Sequence, residues 1–87
     1  MKSINVTIID PIGIHARPAS MISSTAAKFQ SSVTFKNGEK SANAKSVINL
    51  MALSAKQGNS IEIAVDGADE DAAIEAIKKV MEEEKLI

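Results

Sequence analysis

The chain has 87 residues, 45% hydrophobic and 24% charged, enough for one modest core and close to the balance of folded globular proteins, so disorder is excluded as a default. Cysteine is absent and histidine occurs once, which excludes a disulfide scaffold and gives no ligand set for a structural metal. The formal net charge of -1 conceals an asymmetry, net +5 over residues 1–61 and net -6 over residues 62–87, so a molecule polar in its charge and an acidic protein partner are expected.

Residues Ser3 to Ile9 alternate, with Ile4, Val6 and Ile8 on one face, which predicts a half-buried strand ended by Asp10-Pro11. From Pro18 the apolar positions Ala19, Ile22, Ala26 and Phe29 recur at helical spacing, and a proline is tolerated in a first helical turn, so a helix is predicted over residues 17–28. Val33 and Phe35 then alternate with polar neighbours. Asn37-Gly38 is a strong hairpin signal, and residues 40–43 return as the partner strand. Ser46 precedes the apolar run Val47 to Leu53, too short for an isolated helix but plausible as a packed one. A fourth strand follows from Ser60 to Val65, broken by Asp66-Gly67. Last, Ile74, Ile77 and Met81 form a stripe opposite Glu75, Lys78 and Glu82, predicting a helix over residues 69–84 with acids at its favourable start.

The order is β-α-β-β-α-β-α in one domain spanning residues 1–87. Four strands with one apolar face each need a cover, and three helices supply it: an α+β open-faced β-sandwich whose four-stranded antiparallel sheet leaves its other face wet. No stretch approaches the roughly 20 apolar residues of a membrane span, and Met1-Lys2-Ser3 runs directly into strand-like sequence, so we expect a cytoplasmic protein without membrane insertion. With no tyrosine or tryptophan and only Phe29 and Phe35 as aromatics, the stacking platforms of nucleic-acid readers are missing.

Chemistry concentrates in Gly13-Ile14-His15-Ala16-Arg17-Pro18, where the only histidine and the only arginine stand two residues apart at a helix start. Unpaired backbone N–H groups, the positive end of the helix dipole and a guanidinium fork together suit a phosphate group, and neutral imidazole is a competent nucleophile. The same spacing also fits a plain loop histidine beside an arginine paired to a surface carboxylate. Spacing alone leaves the two readings open.

The run Gly13 to Ala19, Lys45-Ser46 opening a short helix, and the element order resemble HPr, the histidine-containing phosphocarrier family of the bacterial phosphotransferase system. The likeness extends over the whole chain. It implies that His15 accepts a phosphoryl group on Nδ1 from phosphoenolpyruvate-charged enzyme I and passes it to the IIA domains of sugar permeases, with Arg17 assisting. It implies a carrier acting between enzymes, without a cofactor, and we expect a monomer. A regulatory relative that keeps the serine but lacks the histidine is excluded by His15.

Ser46 reads as an N-cap that accepts from first-turn N–H groups. By resemblance it is also a target of HPr kinase/phosphorylase, and the modified protein a corepressor for the catabolite control protein in carbon catabolite repression. Here Val47-Ile48-Asn49 replaces the Ile-Met-Gly of many regulated members. The second helix is apolar on two sides, Val47, Leu50 and Leu53 on one, Ile48, Met51 and Ala55 on the other, and only one can face the core. The surplus stripe is expected to dock partners, so Ile12, Ser20, Val47, Ile48 and Met51 are the candidate docking residues. The nine late acids are expected to be mostly a solvated helix face, and a change at Glu83 to matter little for docking.

Overall fold

A computed structural model describes residues 1–87. Seven elements follow in chain order: β1 (Lys2–Thr7), α1 (Ala16–Ala26), β2 (Ser32–Asn37), β3 (Lys40–Asn43), α2 (Val47–Ala52), β4 (Ser60–Asp66) and α3 (Glu70–Glu83). The strands form one antiparallel sheet in the order β1-β4-β2-β3. The last strand in sequence is therefore central, paired with β1 on one side and β2 on the other.

The register explains the two faces. Ile4 stands opposite Ile63, Ile63 opposite Phe35, and Phe35 opposite Ala42, so one apolar row crosses all four strands. The neighbouring row, Ser3, Ala64, Thr34 and Asn43, lies on the other face, where only Ala64 is buried. Because side chains alternate along a strand, this register turns every apolar row to the same side. There α1 contributes Ala19, Ile22 and Ala26, α2 contributes Leu50, and α3 contributes Ala73, Ile74, Ile77 and Met81 to a single core around the fully buried Phe35. The open-faced α+β sandwich expected from the sequence is the fold observed.

Element ends differ from the expected ones for local reasons. β1 stops at Thr7 rather than Ile9 because the Ile8 and Ile9 N–H groups leave the ladder, donating to the carbonyls of Asn59 and Leu86 at 3.0 and 2.7 Å. α1 starts at Ala16 and ends at Ala26 rather than residue 28, since Lys28 and Phe29 donate to carbonyls three residues back and tighten the last turn. In α2, Leu53 is the cap rather than the last helical residue.

The end of α3 is built with unusual economy of glycine. Leu86 N–H donates to Met81 O at 2.9 Å and Lys85 N–H to Glu82 O at 3.0 Å, with Leu86 and Met81 both fully buried. These are the paired bonds and the apolar contact of a Schellman motif, but Lys85, at φ 59°, stands where glycine is usual. At the other end, Asp69 does not cap its own helix with its side chain. Its carboxylate reaches the loop after α1, accepting from Gln30 N–H and Ser31 N–H at 2.9 Å each and from the Ser31 hydroxyl. No helix is long and apolar enough to cross a membrane.

Candidate functional site

The segment between β1 and α1 is fixed by its own polar groups. Asp10 Oδ1 accepts from Ile12 N–H at 2.8 Å and Gly13 N–H at 3.2 Å, closing an Asx turn around Pro11. Gly13 has φ 86°, and a Cβ there would lie 2.0 Å from the Ala55 carbonyl oxygen, so only glycine fits. That carbonyl accepts from Ile14 N–H at 3.1 Å, which anchors the loop to the segment after α2.

His15 is thereby delivered as the N-cap of α1 in extended conformation, φ -113° and ψ -171°. Its side chain makes no capping bond, and neither ring nitrogen has a partner within the chain. The ring is half-buried, yet no buried side-chain nitrogen lacks a partner, so both nitrogens reach solvent. The first-turn N–H groups of Ala16 and Arg17 also have no acceptor within the chain, and Pro18, third in the helix, has no N–H to satisfy. Two free donors and an unencumbered imidazole thus share one helix end, the chemistry of an anion-accepting nucleophile.

Asp10, His15, Arg17, Pro18, Glu83, Glu84 and Lys85 line one open polar depression. Arg17 Nε stands 3.5 Å from Glu84 Oε1; the arginine side chain is 82% exposed and the glutamate only 16%. The plain expectation of an arginine paired to a carboxylate is therefore met, but the carboxylate belongs to the His15 pocket itself. The late acids are therefore not only a solvated helix face, since Glu83 and Glu84 line the depression that holds His15. The Schellman turn brings the end of α3 back, and Ile9 N–H to Leu86 O ties it to the start of the loop that carries His15. Sequence spacing could not reveal a contact made across nearly the whole chain.

Ser46 caps α2 as the sequence implies. Its Oγ accepts from Asn49 N–H at 3.3 Å, and it is half-buried. The preceding residue is fixed twice over, with Lys45 N–H donating to Asn43 Oδ1 at 3.0 Å and Lys45 Nζ to Phe29 O at 2.9 Å. Ser23 Oγ donates to Lys45 O at 2.8 Å and links α1 to the start of α2.

Of the two stripes on α2, Leu50 and Leu53 enter the core. Ile48 and Met51 face out, 80% and 46% exposed, and Ile12 is 69% exposed. Ser20 is exposed on α1. Val47 is half-buried and packs on the core, so it offers little surface for docking. Ala55 does not continue the outer stripe: the chain leaves the helix at Leu53, and Ala55 is buried beneath Gly13. Sequence reading missed Met21 and Ile9, both exposed apolar residues. Met21 could have been found, since it lies off the buried Ala19, Ile22 and Ala26 stripe.

The PTS-HPr family model, the PTS HPr component phosphorylation site, matches residues 2–83. The chain is 45% identical over 87 residues to phosphocarrier protein HPr of Mycoplasma capricolum, covering 100% of this chain and 98% of that one. It is 47% identical over 88 residues to HPr of Mycoplasma pneumoniae, with 100% of both chains covered. Among solved structures it is similar to a mycoplasma histidine-containing phosphocarrier protein, with TM-score 0.97, 44% identity, and 99% and 98% of the two chains covered. It is also similar to the domain-swapped dimer of Bacillus subtilis Crh, with TM-score 0.76, 33% identity and 94% of each chain covered.

Proposed function

The chain belongs to the HPr family of phosphotransferase-system phosphocarriers, and on that premise we propose that His15 is its phosphoryl acceptor, loaded by phosphoenolpyruvate-charged enzyme I and unloaded onto IIA domains of sugar permeases in the cytoplasm. The observation that carries this reading is the unpartnered, solvent-reached imidazole at the start of α1 beside the free N–H groups of Ala16 and Arg17. The imidazole Nδ1 attacks phosphorus, a P–N bond forms, and the bond to the donor breaks with its electron pair left on the donor. The second transfer runs the same exchange outward. Two free N–H donors fixed by the helix, and the Arg17 guanidinium within reach, stabilise the charge on the oxygens of the group in transit. The protein is a carrier, not a catalyst with turnover of its own.

Ile12, Ser20, Ile48 and Met51 form the docking surface in this reading, joined by Met21; α1 and α2 pack together and carry all of these but Ile12. Ser46 is in addition a regulatory site for HPr kinase/phosphorylase, and its phosphorylated form pairs with the catabolite control protein. What supports this is a half-buried hydroxyl at the helix cap together with the exposed Ile48 two residues on. The working form is a monomer; because an HPr dimer from Thermoanaerobacter tengcongensis is among the similar structures, light scattering of the loaded protein checks that assignment.

The test is incubation with phosphoenolpyruvate and enzyme I, followed by intact mass. One acid-labile phosphate on the parent chain and none on His15→Ala is expected. An unchanged parent mass, or an undiminished adduct on His15→Ala, rejects the reading.

A further inference from the structure

We propose that Glu84 is a positioning residue that competes with the phosphoryl group for Arg17, and so sets how readily His15 gives that group up. This rests on His15 being the phosphoryl acceptor. Three observations converge on it. The first is the ion pair itself, Arg17 Nε to Glu84 Oε1 at 3.5 Å, made by an exposed arginine and a largely buried glutamate at the cap of α3. The arginine nearest the histidine is thus already engaged before any phosphate arrives. The second is the balance of the depression, where Asp10, Glu83 and Glu84 face only two permanent cations, Arg17 and Lys85. Such a lining opposes a dianion on His15 rather than welcoming it.

The third is the end of α3. A helix C-terminus favours basic side chains, yet the last turn has none and carries Glu82 and Glu83, followed by Glu84 as cap and Lys85 in the left-handed region. Each choice is locally unfavourable, and all stand at the one place where α3 meets the His15 loop. Departures from local preference of this kind concentrate where function, not stability, selects the residue. A carrier must release its cargo as easily as it takes it. An arginine shared with Glu84 stabilises the phosphorylated state less than a free one would, because the phosphate oxygens must displace a carboxylate to gain the guanidinium.

The experiment sets the degree of phosphorylation through enzyme I with mixtures of phosphoenolpyruvate and pyruvate, and reads the fraction of loaded protein by intact mass. Glu84→Gln should reach half-loading at a phosphoenolpyruvate to pyruvate ratio about three- to five-fold lower than the parent, the size expected of one exposed ion pair. Glu84→Asp should stay near the parent. In an Arg17→Ala background the Glu84→Gln shift should fall to less than half its parent size, the part left by direct repulsion between Glu84 and the dianion. An unmoved midpoint, a shift the other way, or a shift that keeps its full size without Arg17 overturns the proposal. Independently of any variant, the 15N-edited NMR signal of Arg17 Nε–H in the parent should move when phosphoramidate loads His15, and a fixed signal also overturns it. A parent chain that takes no phosphate at His15 instead rejects the underlying functional reading, and the proposal with it.

Discussion

Single residues decide whether His15 is presented at all. Gly13 has both a left-handed backbone and the Ala55 carbonyl oxygen where a Cβ would be, so Gly13→Ala must move the loop and loosen the Ile14 to Ala55 bond. We expect a loss of about 3 kcal/mol in urea unfolding and a matching drop in phosphoryl acceptance. The opposite holds at Lys85, where the left-handed region suits glycine better. Lys85→Gly should raise stability by about 0.5–1 kcal/mol, seen as a higher urea midpoint at unchanged slope. Asp69 supplies the pH dependence: the Ser31 hydroxyl, then the Gln30 N–H, hold its carboxyl below the ordinary aspartate value. A depressed folded-state pKa means that its stabilisation is complete above the unfolded-state value of about 3.9 and is lost as pH falls from there through the folded-state value. Asp69→Asn should therefore flatten the fall of stability below about pH 4, measured by urea unfolding at stepped pH. The sequence showed Asp69 only as an acid at a helix start; its partners lie on another element, beyond the reach of local pattern.

At the scale of elements, period and turn signals located all seven, because each apolar stripe has to find the same core. The residues at which the elements stop were less legible, since Ile9 is placed by its bond to Leu86 and Phe29 by a tightened turn after α1 rather than by the periodicity that includes them. The strand order was not legible either: nothing in the alternation of Ser60 to Asp66 says that β4 inserts between β1 and β2. α2 is the element most dependent on its neighbours, six residues long with Leu50 as its one buried helical side chain. Removing its cap by Ser46→Ala should cost about 1 kcal/mol. Ser46→Asp keeps an acceptor for Asn49 N–H, so circular dichroism should remain native while phosphoryl transfer from enzyme I slows through added negative charge near the docking surface. A lost fold, or a normal rate, removes that account of regulation.

For the whole molecule, charge along the chain proved a poor guide to charge in space. The net +5 portion that holds His15 and the net -6 portion suggested a molecule polar in its charge, but α3 returns its end to the histidine and makes the site a mixture of both. The His15 motif itself was readable because its parts are contiguous; its surroundings were not, because Arg17 and Glu84 meet only through the fold. In the proposed reading, docking combines the exposed Ile48 and Met51 with this charge. Met51→Asp should weaken enzyme I binding at least tenfold, chiefly through faster dissociation, whereas added salt should mainly slow association, and surface plasmon resonance separates the two.

The claim on which all of this turns is that one nitrogen of one histidine carries the cargo. Phosphorus-coupled NMR of the protein loaded by phosphoenolpyruvate and enzyme I reads that atom directly. A single phosphorus signal coupled to the His15 ring is expected, with the 15N shift of Nδ1 displaced as the substituted nitrogen. A signal coupled to Nε2, to another side chain such as Ser46, or to no residue of the chain would contradict it.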